Sequence, residues 1–351
     1  MKKIINTAIS GFGLSGRAFH APFLHVHKGF MIGKVLERHR EDSRSLFPYV
    51  KVVRNYSDIL EDSEIELIVI CTPNTHHFNM AKSAILAGKH VVIEKPFANS
   101  HAEAKELISL AKKKGIELFV YHNRRWDGDF LTIQRMLRGD GLGEIQYYEA
   151  HFDQYSPVRK RAAWRDEALP GSGLLYDLGP HMIDQALQLF GNPDTVEAEI
   201  IAQRKDSKVD DFFLITFTYQ NMVARLSAGM LVKEPGPRYI IHGSRGSFIK
   251  YGIDPQEEAL RKGVMPDAEN WGEESPDKWG LVTIDYDDDL NFNGQVETLP
   301  GNYMAFYDNV YEVLVKGKKK LVKPTEAAEV IRIIELAFES SKTGKKIEIK
   351  I

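Results

Sequence analysis

Short apolar runs alternate with longer segments of helical spacing over the first 121 residues. Residues 4–10, 30–36, 52–53, 67–71, 90–93 and 117–121 read as strands. The segments between them carry helix punctuation. Gly88 stops a helix over residues 76–87, and Ser100-His101-Ala102-Glu103 is a capping box opening a helix that Gly115 closes. Strands separated by helices predict a parallel, doubly wound sheet. After Trp126 the pattern changes. Helices are expected near residues 130–137 and from Gly171 to a stop at Gly191. Strands are expected at 145–155, 196–202, 212–219, 223–228, 239–242 and 247–251. The last five lie in sequence with no helix between them, which predicts an antiparallel sheet. A short helix begins at Asp254-Pro255, residues 262–277 are loop-like, 302–315 and 325–341 are helical, and 346–351 form a last strand. The expectation is an α/β protein with two domains, residues 1–122 and 123–351.

Ligands of an open parallel sheet bind beyond the carboxyl ends of its strands, so chemistry is sought there first. Gly11-Phe12-Gly13-Leu14-Ser15-Gly16 follows the first strand at once. Gly11 permits the tight turn, Gly13 lets backbone approach a pyrophosphate, and Gly16 lets helix and strand pack closely. Leu14 and Ser15 complete this dinucleotide loop. Glu37 ends the second strand, 21 residues after Gly16, where an acidic residue meets the adenosine ribose. Arg38 and Arg40 stand beside it and suit a 2′-phosphate, while Glu37 can instead turn outward and pair with Arg40. Thr72-Pro73-Asn74 and Glu94-Lys95-Pro96 end two further strands, and His122-Asn123-Arg124-Arg125-Trp126-Asp127 follows the sixth. On the helix expected from Gly171, Asp177, His181 and Asp184 stand at i, i+4 and i+7 and share a face. His76 and His77 have no carboxylate or cysteine at ligand spacing. They read as helix-start residues, and no metal site is expected.

Composition narrows the classes. The 351 residues are 43% hydrophobic and 27% charged, enough apolar material for two cores. A net charge of -3 without a basic run argues against nucleic-acid binding. Cys71 is the single cysteine, so no intrachain disulfide forms. The amino-terminal apolar run leads straight into the glycine loop and reads as a strand, not a signal peptide. No run is long enough to span a membrane. The expected compartment is the cytoplasm.

The order Gly11-x-Gly13-x-x-Gly16, Glu94-Lys95-Pro96, Asp177-x-Gly179-x-His181-x-x-Asp184 resembles the Gfo/Idh/MocA oxidoreductase family along the whole chain. Residues 121–132, 175–185 and 238–256 are similar to its branch of NADP-using scyllo-inositol dehydrogenases. The resemblance implies an N-terminal Rossmann domain and a C-terminal domain on a large, open, mostly antiparallel sheet. The exposed face of that sheet would pair subunits into a homodimer or homotetramer. It implies hydride transfer between NAD(P) and a secondary alcohol of a cyclic polyol or sugar. Lys95 would hold the substrate hydroxyl, His181 would accept its proton, and Asp177 would position the substrate. Thr72, Pro73 and Asn74 would line the nicotinamide, with Glu94 and Lys95 beside them and Trp164-Arg165 closing over that region. Asn123 and Arg125 are further substrate-binding candidates. The chemistry agrees, because an imidazole titrating near about 6.5 removes a hydroxyl proton at neutral pH and an ammonium stabilises the developing alkoxide. NADP-using relatives carry a small hydroxyl residue at the position of Glu37, followed by an Arg like Arg38. Arg38 therefore favours NADP, and Glu37 favours NAD. Two alternatives stand beside this reading. One is an aldose dehydrogenase of the same family. The other is a non-catalytic regulator that binds nucleotide and sugar, which would be free to lose Lys95 or His181.

Overall fold

The computed structural model describes residues 3–158, 167–285 and 290–349. Its first sheet holds β1 (Ile5–Ser10), β2 (Phe30–Leu36), β3 (Lys51–Val53), β4 (Leu67–Ile70), β5 (His90–Ile93) and β6 (Leu118–Val120), all parallel, in the order 3-2-1-4-5-6. All four residues of β4 are buried, as are Val91, Val92 and Ile93 of β5. Continuous apolar runs are what inner parallel strands need, and they explain why the sequence announced these strands. The helices here are α1 (Ala21–Val26), α2 (Asp42–Leu46), α3 (Ser57–Leu60), α4 (His77–Leu86) and α5 (His101–Lys114). Ser100 Oγ accepts the Glu103 N–H at 3.2 Å, and the Glu103 carboxylate accepts from Asn99 N at 3.0 Å. The helix after the glycine loop opens with a π-helical turn, Ser15–His20, before α1. Sequence reading missed α2, whose five residues include one apolar side chain and so show no amphipathic period.

The second sheet holds β7 (Ile145–His151), β8 (Thr195–Ile201), β9 (Phe212–Thr218), β10 (Val223–Gly229), β11 (Tyr239–Gly243), β12 (Gly246–Lys250), β13 (Gly280–Asp285), β14 (Asn291–Val296) and β15 (Ile347–Glu348). Their order is 14-13-12-11-7-10-9-8-15. Every pair is antiparallel except β7 with β10, which run parallel. Strands β13 and β14 were not anticipated, and β14 is an edge strand of largely exposed polar residues with no clean alternation. The remaining helices are α6 (Gly128–Leu137), α7 (Leu174–Phe190), α8 (Gln256–Arg261), α9 (Met304–Lys316) and α10 (Pro324–Thr343). Helix α7 packs on β9 and β10. Phe213, Ile215 and Phe217 of β9 are fully buried, and the alternate residues Phe212, Leu214 and Thr216 are half-exposed.

The two sheets define two compact units. The expected boundary at residues 122 and 123 separates the sheets, but later segments cross back. Gln256–Trp271 and Asn302–Ile331 belong with the chain through Asn123. Aromatic burial explains the return: the Trp271, Tyr303 and Tyr307 rings gather around Phe23, with centroids 6.3, 6.4 and 6.3 Å away. Among the described residues no helix is long and apolar enough to cross a membrane.

Candidate active site

In the first unit the carboxyl ends of β1, β4 and β5 lie side by side. Cys71 N bonds Ser10 O at 3.0 Å, and Glu94 N bonds Ile70 O at 3.1 Å. Strand order reverses between β1 and β4, which is where an open α/β sheet has its crevice. Gly11 has φ +104°, and a Cβ on Gly16 would fall 2.2 Å from Gly11 O, so that contact admits glycine alone. A Cβ on Gly13 would meet nothing within 4 Å, so the backbone there faces open space. Close packing behind the loop and an open approach in front of it fit a dinucleotide pyrophosphate.

The Ser15 hydroxyl donates to Glu94, which is buried. The same carboxylate receives His20 Nε2 at 3.0 Å and the Lys95 backbone N–H at 2.9 Å. His20 Nδ1 lies 2.6 Å from the Tyr307 hydroxyl. Burial alone would raise the Glu94 pKa. The hydrogen bond and charge of His20, with the charge of Lys95, more than offset that and bring it to about 2. The strand end that presents half-buried Lys95 is thereby tied to the glycine loop. A second tie is His77, whose Nδ1 lies 2.9 Å from Pro96 O and Nε2 3.0 Å from Thr72 O. Burial lowers its pKa against the opposing pull of these carbonyls. His77 opens α4, as expected, and is also a buried link between the ends of β4 and β5. Thr72 and Pro73 are half-buried and Asn74 is buried.

At the end of β2, Glu37 takes neither of its expected orientations. Its carboxylate turns inward to the start of α2, accepting the Asp42 and Ser43 N–H groups at 3.0 Å each and the Ser43 hydroxyl. Arg40 pairs with Asp42 instead, at 3.6 Å and largely exposed. Arg38 is exposed and makes no hydrogen bond or ion pair among the described residues.

In the second unit α7 carries the other candidates. Gly173, at φ +98°, precedes it, and a Cβ there would lie 2.0 Å from Asp210 Oδ1. Asp210 Oδ2 accepts the Leu175 N–H at 2.7 Å, capping α7 from 35 residues away. Burial pushes the Asp210 carboxyl up to about 6 against these N–H bonds. Asp177 is half-buried, and His181 and Asp184 are buried. Arg125, expected at the substrate, grips Asp184 through Nε at 2.8 Å and Nη2 at 2.6 Å. Gln185 Nε2 donates to Arg124 O at 2.9 Å. The segment after β6 therefore anchors α7. Asn123 is buried and belongs to the first unit. Trp164 and Arg165 lie outside the described residues. Among those described, no three His, Cys, Asp or Glu are grouped to hold a metal.

Sequence reading brought the glycine loop, Thr72–Asn74 and Lys95 to one sheet edge, and Asp177 and His181 to one helix. It assigned no role to His20, Ser43, Tyr307 or Asp210, and none of the four stands in a motif that would have marked it.

A sheet of order 3-2-1-4-5-6 with this loop after β1 defines a dinucleotide-binding protein of Rossmann type. The model for the oxidoreductase family NAD-binding Rossmann fold matches residues 5–122, and that for the family's C-terminal alpha/beta domain matches residues 134–349. The chain belongs to the Gfo/Idh/MocA oxidoreductase family. It is 41% identical to scyllo-inositol 2-dehydrogenase (NADP(+)) IolW of Bacillus subtilis, over 99% of this chain and 96% of that protein. It is 27% identical to levoglucosan dehydrogenase of Pseudarthrobacter phenanthrenivorans, over 55% and 53%. The solved structure of the oxidoreductase yvaA from Bacillus subtilis matches with TM-score 0.96 and 39% identity, covering 100% of this chain and 99% of the other.

Proposed function

We propose that this protein is a dehydrogenase of a cyclic polyol or sugar, with scyllo-inositol the first candidate and NADP the cofactor. The observation that carries the reading is the retention, in one chain, of Lys95 at a braced strand end beside the glycine loop and of Asp177 and His181 on one face of α7. The identity to scyllo-inositol 2-dehydrogenase supports an inositol, and levoglucosan dehydrogenase supports the wider class of sugars.

Gly11, Gly13, Leu14, Ser15 and Gly16 would hold the pyrophosphate, and Thr72, Pro73 and Asn74 the nicotinamide end. When bound, the nicotinamide supplies the hydride acceptor. This chain's residues supply the rest. His181 takes the proton of the substrate hydroxyl at an imidazole nitrogen. The Lys95 ammonium stabilises the negative charge that develops on that oxygen. Asp177 accepts hydrogen bonds from neighbouring hydroxyls and orients the ring. Exposed Arg38 and inward-turned Glu37 favour NADP, because a guanidinium suits a 2′-phosphate and the opposing carboxylate is engaged elsewhere. A homodimer or homotetramer through the second sheet is part of the proposal. The face opposite α7 leaves Phe212, Leu214, Ile240 and Ile249 half-exposed. It also carries a polar row in which His151 sits 2.7 Å from Glu149 and 3.1 Å from Asp153.

The test is a panel of inositols and aldoses with NAD and NADP, read at the absorbance of the reduced nicotinamide. Turnover of a polyol is expected, with NADP preferred. Lys95→Met and His181→Ala should each lower kcat by about 10²–10⁴ while cofactor affinity holds. Binding without turnover across the panel would instead make the protein a regulator.

A further inference from the structure

A carboxylate at the end of β2 ordinarily accepts from the ribose 2′-hydroxyl of NAD and repels the 2′-phosphate of NADP. In this chain the Glu37 carboxylate is already occupied. Glu37 is 7% exposed, and three donors converge on it: Asp42 N, Ser43 N and the Ser43 hydroxyl. Ser43 is fully buried. The backbone that carries Glu37 is fixed from the other side. Arg54 Nη1 donates to Glu37 O at 2.7 Å and to Arg40 O at 2.5 Å, while its Nη2 pairs with Glu41 at 2.6 Å. The loop 37–41 is thus pinned with Glu37 inward and Arg38 outward, and the donor fork of Arg38 is uncommitted among the described residues.

We propose that Ser43 determines cofactor choice by holding Glu37 away from the ribose. It is a positioning residue that acts through Glu37, and the inference rests on the NADP reading above. Of the three donors, the Ser43 hydroxyl is the one a conservative substitution removes. Without it the carboxylate keeps two backbone N–H groups but loses a bond from a neutral donor to a charged acceptor. Such bonds hold an ionised side chain more firmly than neutral pairs do. A carboxylate released toward the ribose would do opposite things to the two cofactors. It would repel a 2′-phosphate and accept from a 2′-hydroxyl.

Titration calorimetry of the full chain with adenosine 2′,5′-bisphosphate and with AMP tests this without turnover. Wild type should bind the bisphosphate more tightly. Ser43→Ala should lower the affinity ratio about tenfold, weakening the bisphosphate and strengthening AMP. In a Glu37→Ala background the same substitution should leave the ratio unchanged, because the group it acts through is gone. If Ser43→Ala does not fold, Ser43→Cys replaces it, near-isosteric and with a much weaker donor. Equal weakening of both ligands, an unchanged ratio, or an equal shift in the Glu37→Ala background overturns the proposal. Wild type preferring AMP refutes the NADP reading, a separate result.

Discussion

Glu94→Gln removes one buried negative charge and nearly preserves the side chain's shape. In the native state the carboxylate is held at about 2, against an ordinary value of 4.5, although burial acts in the opposite direction. That interval, at about 1.4 kcal/mol per pH unit, is on the order of 3 kcal/mol of stability. The sign follows from the depressed pKa. The contribution is fully present above the unfolded-state value near 4.5 and is lost as pH falls from there toward about 2. At pH 7 the variant should therefore be less stable by about 3 kcal/mol, roughly 10 °C in the melting temperature of the unit that contains it. The difference should narrow below about pH 4.5, because the carboxylate then takes up a proton in the unfolded chain while it stays ionised in the folded one. Paired thermal melts of wild type and variant by circular dichroism, from pH 7 down to pH 3.5, measure it. A gap that stays constant with pH would show that the substitution acts through packing. No gap at pH 7 would show that Ser15, His20 and the Lys95 N–H do not favour the ionised form.

Arg125→Met should cost about 3–5 kcal/mol in urea unfolding, because Asp184 keeps a buried charge without its bidentate partner, and Arg125→Met with Asp184→Leu should recover part of it. Retained stability in the single variant would remove Arg125 from its anchoring role. Light scattering at micromolar concentration should find a dimer or tetramer, since Phe212, Leu214, Ile240 and Ile249 share a half-exposed sheet face. A monomer would refute the assembly.

Much of the frame was legible in the chain because the physics that sets it is local. Inner parallel strands such as β4 must be apolar at every position, so Leu67-Ile68-Val69-Ile70 announces itself. Gly11 is required by its positive φ and Gly16 by a 2.2 Å approach, both encoded within six residues. The stripe of Asp177, His181 and Asp184 follows from helical spacing alone. What the sequence left open is the choice of partners, because those partners are brought together only by the folded chain. His20 meets Tyr307 across 287 positions, and Arg125 meets Asp184 across 59. Asp210 caps a helix that begins 36 residues before it. No period or spacing encodes such pairings. The same holds at six residues' distance for Glu37 and Ser43. Sequence places a carboxylate at the ribose position, and only the tertiary course of the loop 37–41, pinned by Arg54, and of α2 after it decides that it points away from it. A hydrogen-bonding group's chemistry belongs to the residue, but its direction is set by whichever donors the fold brings within reach.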